Sequence, residues 1–237
     1  MITVDFQNLR MTSAGRILDI GCGSGRHTAA AYDLAKGIVI GADPDFGDLQ
    51  AACSRLDFHG QWQPHHQSGW ALAGADITRL PFGGDIFDIV ICSEVLEHIP
   101  DHGRAVAECV RVLKPGGELV VSVPRRWPET VCWALSKSYR HSPGGHIRIY
   151  STSRLIRLIR SFGLEFVRIH YAHGLHSPYW WLKCFLGLGR PHIWPLPAYD
   201  RFLTWEMMRK PRWTRRLEHL LNPFLGKSTV LYFHRPA

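Results

Sequence analysis

Apolar runs five to eight residues long alternate with segments of helical periodicity through the first 171 residues. Arg16–Ile20 predicts a strand, and the Ala-rich stretch from Gly25 to Lys36 predicts the helix after it. Gly37–Ala42 reads as strand two, Phe46–Leu56 as the next helix, and Trp70–Ala75 as a weaker third strand. Ile86–Cys92 is a strong fourth strand, with a helix from about His102 to Leu113 behind it. The Lys114-Pro115-Gly116-Gly117 turn leads into strand five, Glu118–Val123, apolar and β-branched as a strand covered on both faces should be. Ser151–Phe162 carries Leu155, Ile156, Leu158, Ile159 and Phe162 at helical spacing, with Ser151, Thr152 or Ser153 as cap and Gly163 as the stop. Leu164–Tyr171 and Ser228–His234 complete the set. Strands alternating with helices predict a doubly wound α/β sheet. The 56 residues between the last two strands, 172–227, exceed any hairpin loop and must form structure of their own.

Charge divides the chain at the same place. Residues 1–171 hold 18 Lys/Arg against 17 Asp/Glu, whereas 172–227 hold 9 against 3 and five of the nine tryptophans. That predicts a domain of 1–171 plus 228–237, and a basic, aromatic insertion that faces a substrate or an anionic membrane surface. The six cysteines show no C-x-x-C spacing, so neither zinc ligation nor a disulfide framework is expected. The first residues lack the apolar run of a signal peptide, and no apolar run reaches the ~20 residues of a membrane helix. The expectation is a cytoplasmic protein, with peripheral association on the inner face of the membrane as its one membrane option.

Four segments carry candidate chemistry. Ile17-Leu18-Asp19-Ile20-Gly21-Cys22-Gly23-Ser24-Gly25 is a buried strand ending in a glycine-rich turn that opens a helix, where backbone can approach a ligand closely. Dinucleotide enzymes share such turns, but the G-x-G-x-G spacing and the preceding Asp19 point away from them. Asp43-Pro44 ends strand two about 20 residues beyond the first glycine, a position suited to gripping ribose hydroxyls; capping the next helix through Asp43 or Asp45 is the plainer role. Asp76-Ile77 follows strand three, where Asp76 either accepts from an adenine amine or merely closes a turn. Strand four ends in Ser93-Glu94-Val95-Leu96-Glu97-His98-Ile99-Pro100.

Together these segments resemble the class I S-adenosylmethionine-dependent methyltransferases, and within them a small-molecule group carrying L-D-I-G-C-G-x-G and V-L-E-H-I motifs. The resemblance spans about residues 15–171. It implies a seven-stranded, mostly parallel sheet of order 3-2-1-4-5-7-6 with the last strand antiparallel, and S-adenosyl-L-methionine as cofactor. By the same carry-over Asp19, Gly21, Cys22 and Gly23 line its methionine portion, Asp43 with Pro44 holds the ribose, Asp76 and Ile77 frame the adenine, and Ser93 contributes backbone beside the sulfonium.

The acceptor must be sought elsewhere. Strand four is followed by neither Asn/Asp-Pro-Pro-Tyr nor Pro-Cys, which disfavours base methylation, and no acidic metal triad is evident. A nucleic-acid partner is therefore not the first expectation, although RNA held by the basic region is the alternative, as is a non-catalytic cofactor-binding protein. A small hydrophobic, lipid-linked or glycosylated acceptor methylated on oxygen is the leading reading, with His146 as the candidate base and His98, one helical turn beyond Glu94, as the second. The His170-x-x-His173-x-x-His176 series leaves a strand for a loop and is not expected to converge on a metal.

Overall fold

The computed structural model describes residues 1–9, 15–62, 69–142, 144–190, 192–209 and 211–237. Seven strands form one sheet, β1 (Arg16–Ile20), β2 (Ile38–Asp43), β3 (Gly69–Gly74), β4 (Phe87–Ser93), β5 (Leu113–Pro124), β6 (Glu165–Ala172) and β7 (Ser228–His234). Their order is β3-β2-β1-β4-β5-β7-β6. Pairings from β3 through β5 are parallel, and β7 runs antiparallel to both β5 and β6. β6 therefore points the same way as β1–β5, and its carboxyl end lies on their ligand-binding edge.

Period-two alternation splits the apolar side chains between two cores. Leu18, Ile20, Val90, Leu119, Val121 and Phe233 pack on one face beneath α3 (His102–Val112) and α6 (Thr152–Arg160). Ile17, Val39, Ile89, Ile91, Val120 and Val230 pack on the other with α1 (Arg26–Leu34), α2 (Phe46–Trp62) and the first nine residues, through Val4, Phe6 and Leu9. Asp101 caps α3 by accepting from Arg104 N at 3.0 Å. Leu155 and Ile159, one turn apart, bury the inner stripe of α6 completely.

Several details depart from the expectations. The Lys114–Gly117 turn is a register shift inside β5 rather than a turn ahead of it, because Leu113 already pairs with Phe87. Ser151 occupies the cap position of α6 but makes no side-chain cap bond. Glu94 and His98 do not share a helical face: residues 94–99 form an irregular turn entered through Glu94 at φ 57°. All six cysteines are free thiols.

After β5 come α4 (Arg126–Leu135) and the short α5 (Lys137–Arg140). Between β6 and β7 the chain forms α7 (His176–Leu186), α8 (Leu196–Arg209) and α9 (Arg212–Leu225). Because β6 exits at the carboxyl edge, these helices stand beside the strand ends, with α7 against α4. Trp127 and Trp181 meet there at 5.1 Å between ring centroids, and Trp181 Nε1 donates to Pro128 O at 3.0 Å.

Candidate active site

Three glycines shape the turn after β1, each for its own reason. Gly21, Gly23 and Gly25 all have positive φ, of 66°, 49° and 73°. A Cβ on Gly21 would lie 2.3 Å from Val95 Cγ2, and one on Gly25 would lie 2.9 Å from the Ala52 Cβ of α2. Gly23 alone faces open space, with Asp48 Oδ2 nearest at 4.0 Å. The space over the turn that a ligand can use thus belongs to Gly23, whereas the space at Gly21 is already filled by Val95.

Carboxylates stand at the ends of β1, β2 and β3. Asp19 is buried and accepts from Thr28 Oγ1 at 2.6 Å; burial pushes its pKa up to about 7. Asp43 accepts from Gly23 N at 2.8 Å and from Asp45 N at 2.9 Å, so the glycine turn and the β2 carboxylate hold each other in place. Asp45, not Asp43, caps α2, accepting from Asp48 N at 2.9 Å. Pro44 follows directly and fixes the chain direction after the strand. Asp76 closes a turn on Thr78, taking its backbone N–H at 2.7 Å and its hydroxyl at 2.9 Å through Oδ1, and those bonds hold its carboxyl below the usual range. The Ile77 side chain lies in the main core. Cys22 is buried within the turn, and burial lifts its thiol to about 12, so it is an un-ionised lining group. A glycine turn with open space above Gly23, flanked by carboxylates on three successive strand ends, fits a ligand with a cationic amino group, a ribose and an adenine.

Ser93 is packed rather than free. Its hydroxyl lies 2.8 Å from both Thr3 Oγ1 and Ser122 Oγ, and Ser122 donates on to Glu94 Oε1 at 3.0 Å. Thr3 also donates its N–H to His27 Nε2 at 2.9 Å. Burial pulls the His27 pKa down to about 3, which keeps the ring neutral and able to accept. The first residues of the chain therefore lie against the strand ends and contribute Thr3, which no sequence motif marked.

The loop from Gly144 to Tyr150 is fastened to the segment after β4. Ile147 N donates to Glu97 O at 3.0 Å, His98 Nδ1 meets Gly145 O at 3.2 Å, and Arg148 reaches Leu96 O at 3.1 Å and Pro100 O at 2.8 Å. This brings the His98 and His146 rings to 5.0 Å between centroids. His146 Nδ1 is 2.6 Å from Glu129 Oε1 of α4, a carboxylate 2% exposed that also accepts from Trp133 Nε1 at 3.1 Å and Tyr139 Oη at 3.3 Å. With Nδ1 donating to Glu129, the His146 lone pair sits on Nε2. His98 donates from Nδ1 to a carbonyl, so its Nε2 is also the basic atom, 4.0 Å from Glu97 Oε1. Burial, then His146, holds the His98 pKa below its ordinary value. Glu97 is fully buried with neither oxygen hydrogen-bonded, and burial followed by Glu94 pushes its carboxyl well up, which favours the neutral acid. Glu97, His98 and His146 bring ligand atoms within 4.8 Å of one another and could hold a cation. Both imidazoles there already use Nδ1 for protein partners.

The sequence placed His146 and His98 near the site but missed Glu129, because the pair is 17 residues apart across two helices and nothing in the spacing joins them. It also missed Tyr139, whose ring lies 6.3 Å from His146 and 5.9 Å from Trp180 of α7. The insertion thus reaches the candidate base through one tyrosine.

Residues 18–121 match the family model described as a methyltransferase domain. A Mycolicibacterium smegmatis protein assigned as an S-adenosylmethionine-dependent methyltransferase is 30% identical over 167 residues, covering 68% of this chain and 57% of its own. A ubiquinone biosynthesis O-methyltransferase from Aromatoleum aromaticum is 33% identical over 156 residues, covering 63% of this chain and 64% of its own. The chain thus spans between 57% and 64% of the length of these two relatives. Among solved structures, a Bacillus halodurans protein assigned as a methyltransferase superposes with a TM-score of 0.64 at 18% identity, over 98% of this chain and 96% of its own. The [4+2]-cyclase SpnF superposes with 0.61 at 18% identity, over 98% and 79%, so this fold also carries other reactions. Sheet order, glycine turn and family match agree: residues 18–121 of this chain match a methyltransferase domain, within a sheet that has the strand order expected of the class I S-adenosylmethionine-dependent methyltransferases.

Proposed function

We propose that the chain methylates a hydroxyl of a small hydrophobic acceptor, with His146 as general base and Glu129 as its positioning partner. The Glu129–His146 hydrogen bond at 2.6 Å carries this reading. A buried carboxylate fixes the imidazole tautomer and stabilises the imidazolium that forms when Nε2 takes a proton. S-adenosylmethionine, when bound, supplies an electrophilic methyl group on a sulfonium. Asp19 holds its amino end, Asp43 its ribose and Asp76 its adenine, while Gly23 leaves room above the turn. His146 removes the acceptor proton as the oxygen attacks, and Glu129 keeps the ring aimed. Relatives named as ubiquinone biosynthesis O-methyltransferases support an oxygen acceptor on an apolar molecule. The aromatic wall of Tyr139 and Trp180 beside His146 supports the same acceptor class.

Release of S-adenosylhomocysteine is the assay, run over a panel of phenolic acceptors. The expected result is turnover on at least one catechol-like phenol, and a loss of roughly 10²–10⁴-fold in His146→Ala with cofactor affinity retained. A loss under tenfold would remove His146 as base, and a larger loss in His98→Ala would transfer the role.

A lipid-facing role for the insertion has its own observation. Trp213, Leu217, Leu220 and Phe224 form an exposed stripe along α9, with Arg212, Arg215 and Arg216 exposed beside it. Leu220, Ile2, Phe6 and Leu34 line a groove of about 850 Å³ rimmed by Arg215, Arg216 and His219. No helix among the described residues is long and apolar enough to cross a membrane. Apolar stripe and basic flank together suit an anionic lipid surface that presents the acceptor.

A further inference from the structure

A second polar cluster lies in the insertion, away from the Glu129–His146 pair. His173 sits in the link between β6 and α7 and adopts φ 66°, a left-handed conformation that non-glycine residues seldom take. His176 opens α7, its N–H donating to His173 O at 3.0 Å. The two rings stand 5.4 Å apart, and Glu218 reaches in from α9 with Oε1 3.8 Å from His173 Nδ1.

None of these groups is satisfied. His176 is 5% exposed, yet both its ring nitrogens lack a hydrogen-bond partner. His173 Nε2, Glu218 Oε1 and the neighbouring Ser177 Oγ are buried without one as well. Buried polar atoms left so are costly, and several gathered at one point suit a bound ion. A cation suits such a set, since an imidazole nitrogen and a carboxylate oxygen can each offer it a lone pair. Their donor atoms already lie within 4.8 Å of one another.

We propose that His173, His176 and Glu218 bind a divalent transition metal, with zinc the best match, which pins the start of α7 to α9. Two imidazoles and one carboxylate are a zinc ligand set, and tetrahedral bonds of about 2.0–2.1 Å would draw the three donors inward from their present spacing. The left-handed backbone at His173 follows, because it turns the first ligand back toward the other two. The site ties the exit of β6, α7 and α9 together.

Zinc and cobalt titrations of the chelator-treated full chain test this. The expected result is one zinc equivalent bound with a melting temperature raised by about 5–10 °C at roughly 100-fold excess over Kd. Cobalt should give absorption bands of a four- or five-coordinate nitrogen and oxygen site. His176→Ala should lose that equivalent, and His146→Ala should keep it, which separates this cluster from Glu97, His98 and His146. Should His176→Ala fail to fold, Glu218→Gln should instead weaken zinc at least tenfold. Absence of stoichiometric zinc and cobalt binding in the folded wild type overturns the proposal, as does a zinc equivalent that disappears with His146→Ala and not with His176→Ala or Glu218→Gln.

Discussion

Glu129 is held by Trp133 and Tyr139 while it holds His146, so one orientation of the imidazole is favoured before any acceptor arrives. Glu129→Gln keeps the shape and removes the charge. Turnover should fall on the order of 10²-fold, because the imidazolium loses its stabilising partner. Cofactor affinity should be retained, which separates the loss of a charge beside His146 from a general loss of structure. Asp19 supplies a second residue-scale prediction. Its pKa of about 7 in the fold stands above the roughly 3.9 of an unfolded chain. Below pH ~4 both states hold the proton and Asp19 costs nothing. As pH rises toward 7 the unfolded chain ionises first, so the cofactor-free protein loses stability across that window. Asp19→Asn should flatten this part of the stability profile. Binding a cationic amino group beside Asp19 should expel its proton at pH 6, read as a buffer-dependent binding heat by calorimetry. No proton release at pH 6, or equal release in Asp19→Asn, would detach Asp19 from the cofactor.

The glycine turn shows what one element demands at successive positions. Gly21→Ala drives a Cβ into Val95 and should lower the melting temperature, with partial recovery in the pair Gly21→Ala, Val95→Ala. Gly23→Val fills open space and should abolish cofactor binding with a smaller loss of stability, about 1–2 kcal/mol from the left-handed backbone. Differential scanning fluorimetry with and without cofactor separates the two. The turn itself was legible because strand, glycines and helix are contiguous, and the strands were legible because buried parallel strands read as unbroken apolar runs, as Ile89–Cys92 does. The segment after β4 was not. Val95-Leu96-Glu97-His98 has helical spacing, but Ile147 and Arg148 satisfy the Glu97 and Leu96 carbonyls and Gly145 holds the His98 ring from a distant loop, and it settles as a turn. Local pattern carries no trace of such partners, for the same reason that the Glu129–His146 pair and the Thr3 contact to Ser93 went unseen. The His170, His173 and His176 series does not converge as three: His170 turns to Thr3 O at 3.0 Å, while the other two stand beside Glu218.

At the scale of the whole molecule, the insertion stands where β6 leaves the ligand edge, and its two aromatic and apolar surfaces, one half-buried and one exposed, point to two different jobs. On α7, Trp180 faces Tyr139 at 5.9 Å, with Lys183 and Lys227 over its ring at 4.8 and 4.5 Å, one residue removed from the candidate base. On α9, Leu220 and Phe224 are 68% and 70% exposed beside arginines, with no part in that aromatic wall. If the first reads the acceptor and the second meets the membrane, the two must separate by mutation. Trp180→Ser should cut kcat/KM for an apolar phenol by about 5- to 150-fold, the equivalent of 1–3 kcal/mol of lost aromatic contact, with cofactor affinity within about twofold. Its flotation with phosphatidylserine-containing liposomes should be unchanged. Leu220→Ser with Phe224→Ser should do the reverse, abolishing flotation while a short-chain soluble acceptor is methylated at the wild-type rate. Raising salt should weaken wild-type flotation as well, since Arg212, Arg215 and Arg216 supply the electrostatic share. Trp180→Ser acting at full speed on its acceptor would remove α7 from substrate recognition. An α9 variant that still floats would leave its apolar stripe to a protein partner, and a variant that loses both properties would show that the two helices serve one surface.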